Sequence, residues 1–376
     1  MYIPRLYEAQ IKTDLDKGKI VILFGPRHVG KTTLVKRFID GGSVYYNCDD
    51  DATRDNFAKH NLEHLTTLIE KYQTIIIDEA QRVPDIGLSL KIMIDAFPKK
   101  RFLVTGSSAF DLANKVHEPL TGRFLSHALY PIAEYELAQN LDPVTQESGL
   151  DLRLRFGSYP EVLVATDLED KERFIKGITK NYLFKDILAL SDLRHPELLD
   201  KLVRALGFQL GSEVSLTELG TITDSDKNTI ERYINLLEKT FVIFSLPPYR
   251  TNLRRSIGKH KKYYFYDLGI RNAMVSNMNP LHLRNDIGGL WENYCIVERM
   301  KRNLVSSPIP PTYYFWRSYE GQELDLIEER DGALTGFECK YGSEGVSRAV
   351  RTFFIDELGG KSLDIISREN YRKWLV

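Results

Sequence analysis

Residues 19–33, Lys19-Ile20-Val21-Ile22-Leu23-Phe24-Gly25-Pro26-Arg27-His28-Val29-Gly30-Lys31-Thr32-Thr33, decide the fold. Ile20 to Phe24 is short, apolar and β-rich, the composition of a strand buried on both faces of a parallel sheet. Gly25 through Thr32 follow the spacing G-x-x-x-x-G-K-T, and Leu34, Val35 and Phe38 fall on one side of an expected helix that stops at Gly41-Gly42. Glycines let backbone N–H groups turn toward phosphate oxygens, and the following helix aims the positive end of its dipole at the same place. Gly25, Pro26, Arg27, His28, Val29, Gly30, Lys31, Thr32 and Thr33 are therefore the expected nucleotide-binding residues. Lys31 would reach the β- and γ-phosphates, and the Thr32 hydroxyl would coordinate Mg²⁺.

Three further stretches extend this site. Tyr45 to Cys48 reads as a second strand, followed by a helical stretch from about Ala52 to Lys71 with Phe57, Leu62, Leu65 and Leu68 inward. Thr74-Ile75-Ile76-Ile77 then runs into Asp78 and Glu79, the Walker B pattern: a buried strand delivers Asp78 to hold Mg²⁺, and Glu79 to orient and deprotonate the attacking water. The strand from Arg101 to Ser108 ends in small hydroxyl residues, where Ser107 or its neighbours would sense the γ-phosphate or hold the lytic water. Arg123, before an apolar strand from Ala128 to Tyr130, is a candidate arginine finger, with Arg27 as a second. The competing reading of Arg123 is a surface ion pair.

At 376 residues the chain has room for two or three domains. Hydrophobic content of 43% and charged content of 27% suit a soluble globular protein. A formal charge of −1 gives no global attraction to nucleic acid, so binding there must come from a local patch. Cys48, Cys295 and Cys339 are few and scattered, which points to neither a disulfide framework nor a zinc site and fits a reducing cytosol. No apolar stretch approaches membrane-spanning length, and the start does not read as a signal peptide. A cytoplasmic protein with no membrane partner is expected.

Gly25-Pro-Arg-x-Val-Gly-Lys-Thr-Thr-Leu34, Ile75-Ile-Ile-Asp-Glu-Ala-Gln-Arg-Val-Pro84, Thr105-Gly-Ser-Ser108, and Leu120-x-Gly-Arg123 followed by Tyr130-Pro131 and Glu136 together resemble an uncharacterised prokaryotic AAA+-type P-loop ATPase family with a C-terminal domain of unknown function. The resemblance covers nearly the whole chain. It implies an ASCE-type core with the Walker B strand between strands one and four, and ATP in preference to GTP. The arginine of the usual AAA+ lid is not evident, so a ring is not implied, while a homo-oligomer stays open.

Beyond residue 145 the pattern turns helical and charged, broken at Phe156-Gly157-Ser158-Tyr159-Pro160-Glu161, and reads as a linker or lid. From Leu199 to Tyr266, helices around Leu202 to Leu210, from Ser215 and from Lys227 to Thr240 precede two strands flanking a basic loop, a winged helix-turn-helix. Asn228, Thr229, Arg232 and Tyr233 would lie on the recognition helix. Arg250, Arg254, Arg255, Lys259, Lys261 and Lys262 would form a cationic patch in or beside the wing. Contact with DNA and a purely structural or protein-binding role both remain open here.

The last stretch runs helix Leu290–Glu298, strand Tyr313–Trp316, strand Glu323–Ile327, a turn at Asp331-Gly332 and strand Gly336–Lys340. Alternation puts Glu338 and Lys340 on one face, where Asp325 of the adjoining strand can meet them. Two carboxylates can hold Mg²⁺ while the lysine stabilises charge or helps to activate water. This resembles the PD-(D/E)xK nuclease superfamily, which implies Asp325, Glu338 and Lys340 on its motif and Glu292 as the helical acid; loss of catalysis with retention of binding stays open. The expected organisation is α/β: a P-loop ATPase domain (1–145), a helical linker or lid (146–198), a winged helix-turn-helix (199–280) and a restriction-endonuclease-like core (281–376). The expected activity is Mg²⁺-dependent ATP hydrolysis that acts on DNA, with an ATP-regulated endonuclease or a nucleotide-gated interaction module as alternatives.

Overall fold

The computed structural model of the chain describes residues 2–106, 120–180, 196–250, 260–307, 309–318, 320–342 and 345–376. They fall into two compact units, Met1–Tyr130 with Lys239–Phe241, and Pro131–Glu238 with Val242–Val376.

The first unit is built on a parallel five-stranded sheet of order β2-β3-β4-β1-β5. Its strands are β1 (Ile20–Phe24), β2 (Ser43–Asn47), β3 (Thr74–Asp78), β4 (Arg101–Gly106) and β5 (Phe124–Ala128). β1 and β3 are buried along their whole length, which is why they read as unbroken apolar runs. Ile22, Ile75, Ile77, Phe102 and Val104 pack with Phe57, Leu65, Leu90 and Met93 from the helices on the sheet.

Two expectations are corrected here. The Walker B strand β3 lies between β2 and β4, and β4 is the strand between β1 and β3. The stretch 52–71 is two helices, Asp51–Phe57 and Leu62–Ile69. His60 takes a left-handed φ of 48°, and the Asn61 side chain caps the second helix by accepting from His64 N at 3.0 Å. Phe57 and Leu65 are buried, whereas Leu62 is exposed.

In the second unit the helices Leu150–Phe156, Pro160–Val164 and Leu168–Lys180 follow one another with a break at Gly157, whose φ is 80°. A Cβ there would lie 2.0 Å from Asp267 Oδ1, and Asp267 accepts from Ser158 N at 2.7 Å. Helices Pro196–Phe208, Leu216–Thr223 and Lys227–Lys239 accompany a three-stranded antiparallel sheet, β6-β8-β7, of β6 (Glu213–Val214), β7 (Ile243–Leu246) and β8 (Lys261–Phe265).

A second sheet, of order β12-β11-β10-β9, contains β9 (Thr312–Arg317), β10 (Glu323–Arg330), β11 (Ala333–Cys339) and β12 (Ser362–Ile366). The turn from β10 to β11 places Asp331 and Gly332 both at positive φ, 51° and 76°, the geometry of a tight hairpin. β12, not anticipated from the sequence, pairs in parallel with β11. Trp291 and Tyr294 of the helix Ile287–Ser306 share a core with Tyr264, Phe315, Leu326, Phe337 and Ile366.

Candidate functional site

At the C-terminal end of β1 the chain turns into the glycine loop. Gly25 has φ 147°, and a Cβ there would lie 2.1 Å from the Leu129 carbonyl oxygen, so the loop leaves the sheet through a gap that only glycine fits. Pro26 and Val29 are buried, Arg27 is partly buried, and His28 and Thr33 are exposed. Gly30, at φ 94°, precedes the helix Lys31–Lys36. Lys31 is 5% exposed, and its ammonium donates to the Gly25 and Pro26 carbonyls, each at 2.8 Å. Burial pushes its pKa down to about 8; Asp78 and Glu79 oppose that shift and the Arg27 guanidinium adds to it. Arg5 braces the loop, donating to the Val29 carbonyl and to the Tyr130 carbonyl, both at 2.6 Å.

The Walker B acids meet this loop. Asp78, 2% exposed at the end of β3, accepts from Thr32 Oγ1 at 2.7 Å and from the Tyr45 hydroxyl at 2.7 Å. Its other oxygen accepts from Thr105 Oγ1 of β4. The same Thr105 oxygen accepts from Glu79 N at 3.0 Å, so one hydroxyl positions both acids. Glu79 sits at a left-handed φ of 54° just beyond the strand, and its carboxylate accepts from Gln81. A serine or threonine hydroxyl hydrogen-bonded to a carboxylate is a hard-oxygen pair, and its chemistry fits Mg²⁺. The roles of Tyr45, Thr105 and Arg5 escaped the sequence reading; only the polar Thr105 at the end of an apolar strand hinted at one of them.

Two expected members remain. Ser107 lies outside the described residues. Arg123 precedes β5 at the N-terminal edge of the sheet, where its carbonyl accepts from Ile20 N at 2.9 Å and its guanidinium pairs with Asp95 at 2.7 Å. With about 3.3 Å per residue along β1, that is roughly 15 Å from the glycine loop. Parallel strands put their beginnings and their ligand-facing ends on opposite edges, so this placement speaks against Arg123 as a finger for its own chain's phosphates and leaves a finger for a second chain's open.

The acids of the second unit converge. Asp325 is buried on β10 and accepts from Cys339 N at 2.8 Å; Glu338 is buried on β11 and pairs with Lys340 at 2.9 Å. Glu292 joins from the helix Ile287–Ser306, and Glu323, two residues before Asp325, completes the group. Carboxylate oxygens of Glu292, Glu323 and Asp325 lie within 4.8 Å of one another. Burial, then the neighbouring Glu292 and Glu338, hold the Asp325 carboxyl well above the usual carboxylate range. Burial raises Glu338 too, against the pull of Lys340.

Lys262, expected in an exposed cationic patch, is instead fully buried and reaches Glu292 Oε1 at 2.9 Å as well as Glu323. The correction follows from β8 starting at Lys261, so that Lys262 lies within the strand, where alternation sets it on the same face as Tyr264; that hydroxyl donates to Glu292 Oε1 at 2.5 Å. Burial works against the charge, but Glu292, Asp325 and Glu323 outweigh it and hold the ammonium pKa above its ordinary value. Tyr233, expected on a reading surface, is also fully buried, while Asn228 and Arg232 of the same helix are exposed. Arg254, Arg255 and Lys259 lie outside the described residues, whereas Arg250 is half-buried and Lys261 exposed.

Comparison with known proteins divides the chain in three. Residues 17–138 match the AAA domain, 147–281 a domain of unknown function (DUF8612) and 287–367 another (DUF4143). An uncharacterized protein of Mycobacterium tuberculosis is 28% identical over 352 residues, covering 93% of this chain and 76% of that protein. One of Haemophilus influenzae is 22% identical over 321 residues, covering 79% and 78%. A solved STAND-type signal transduction ATPase with a tetratricopeptide repeat sensor, from Pyrococcus horikoshii, has a TM-score of 0.32 and 12% identity. That match takes in 81% of this chain and 48% of the solved one, about half its length. The chain thus carries an AAA domain followed by a C-terminal DUF4143 domain, and the relatives it matches along most of its length are themselves uncharacterized.

Proposed function

We propose that this protein is a Mg²⁺-dependent ATP-binding and ATP-hydrolysing switch whose nucleotide state sets the activity of its C-terminal half on DNA. One observation carries the first part: Thr32 and Asp78 meet at 2.7 Å directly beside the buried ammonium of Lys31. Loop N–H groups and Lys31 bind and orient the triphosphate. Thr32 and Asp78 would hold Mg²⁺, which supplies positive charge against the phosphate oxygens. Glu79 accepts a proton from the attacking water, and Thr105 keeps its backbone in place. Equilibrium binding of Mg²⁺ with a non-hydrolysable ATP analogue is the test. Binding by the wild type and its loss in Lys31→Ala is expected; equal binding by both proteins rejects the site.

Action on DNA rests on the three helices and antiparallel sheet of residues 196–265, which suit a winged helix with Asn228 and Arg232 outward. If four cationic side chains contact phosphates, affinity falls about a hundredfold between 50 and 200 mM salt. A salt-independent interaction would favour a protein partner.

A second reading, an ATP-regulated endonuclease, is favoured by Asp325 and Glu338 on adjacent strands, Glu338 paired with Lys340 and Asp325 beside Glu292. Plasmid cleavage in Mg²⁺ or Mn²⁺ tests it. Equal cleavage by wild type and Glu338→Ala would remove this cluster from the account.

A further inference from the structure

The acidic cluster of the second unit already surrounds a cation, and that cation is a side chain. Lys262 is 0% exposed, and its Nζ lies 2.9 Å from Glu292 Oε1 and contacts Glu323. Both carboxylates belong to the trio, with Asp325, whose oxygens cluster within 4.8 Å. Next to them Glu338 Oε2, on a side chain about nine-tenths buried, has no hydrogen-bond partner. Four carboxylates of this kind are the donor set of a hard divalent cation. An ammonium group on Glu292 Oε1 and Glu323 Oε1 occupies one oxygen of each and puts a positive charge where a divalent ion would need the oxygens at roughly 2.1 Å. As arranged, these residues do not fit a bound Mg²⁺.

We propose that Lys262 is the resident cation of this cluster: the site is closed to divalent metal while β8 holds Lys262 in it, and accepts Mg²⁺ or Mn²⁺ once that ammonium is withdrawn. The proposal rests on the endonuclease-like reading of Asp325 and Glu338. It adds that the three-stranded sheet controls the site. Lys262 pairs in register with Glu213 of β6 and Leu246 of β7, so it cannot leave without disturbing that sheet. It also lies in the segment matching DUF8612, whereas all four carboxylates lie in the segment matching DUF4143. The ion pair is thus a latch between two separately matched parts of one compact unit.

The test uses the full chain without nucleotide, with Mn²⁺ as the probe, read by electron paramagnetic resonance and by thermal denaturation. Wild type and Asp325→Asn should bind Mn²⁺ alike, because the cluster contributes no site while Lys262 fills it. Lys262→Met leaves buried carboxylates uncompensated, so its Tm should fall in metal-free buffer and recover with Mn²⁺. It should gain a Mn²⁺ site that Lys262→Met/Asp325→Asn loses. A Mn²⁺ site present in wild type and lost in Asp325→Asn overturns the proposal, whether or not the lysine variant folds. So does a folded Lys262→Met that gains no site. DNA cleavage is read separately: Mn²⁺ bound by Lys262→Met without cleavage supports the latch and counts against the endonuclease reading.

Discussion

At the residue scale, Lys31 is held where burial and the charges of Asp78 and Glu79 act in opposite directions, and burial wins, lowering its pKa from 10.5 to about 8. Two consequences have definite signs. Between about pH 8 and 10.5 the unfolded chain holds the lysine proton more tightly than the folded one, so this group's contribution to stability rises with pH across that window. A bound polyphosphate restores the charge, so nucleotide affinity should fall by up to about tenfold per unit as pH climbs past about 8, and calorimetry should show proton uptake on binding there. Affinity flat from pH 7 to 10 would contradict this. Thr105 acts through Asp78 and Glu79. Thr105→Val should slow single-turnover hydrolysis by roughly 10- to 100-fold while leaving nucleotide affinity nearly unchanged; equal losses in both would make Thr105 merely structural. Lys31, Thr32, Asp78 and Glu79 were legible in the sequence because contiguous residues set their spacing. Thr105, Tyr45 and Glu323 were not, because strand pairing from distant parts of the chain brings them to their partners.

At the scale of elements, the apolar runs of β1 and β3 were legible because both faces of each are covered. Strand order was not, since the same runs fit a sheet with β4 on either side of β3; burial alone does not choose a neighbour. The observed order sets Thr105 beside the Walker B acids and leaves Arg123 at the opposite edge. Arg123→Ala should therefore leave nucleotide binding by the isolated chain unchanged and cost under about 1 kcal/mol, the worth of an exposed pair with Asp95. A large loss of affinity in the monomer would contradict that placement. Gly25→Ala should do the reverse. Its Cβ collides with the Leu129 carbonyl, so stability falls by on the order of 1–3 kcal/mol in a urea melt and nucleotide binding is lost. Lys262 misled for a different reason: next to a basic loop it reads as part of the wing, whereas β8 begins at Lys261 and its carboxylate partners lie on a helix and another sheet.

For the whole molecule, the two compact units each hold one cluster of ionisable groups, and the two clusters differ in what fills them. In the first, a lysine donates to its own loop's carbonyls and a hydroxyl and carboxylate pair stands beside it. In the second, a lysine from one sheet neutralises an acid of a helix and an acid of another sheet. The central claim is that Asp78 and Glu79, brought to the glycine loop by β3, form an ATP-hydrolysing centre. Single-turnover hydrolysis of Mg²⁺·ATP by wild type and Glu79→Gln tests it most directly. Measurable turnover in the wild type and a loss of about a hundredfold or more in the variant, with ATP binding retained, are expected; equal rates in the two proteins, or no turnover in either, would rule this centre out.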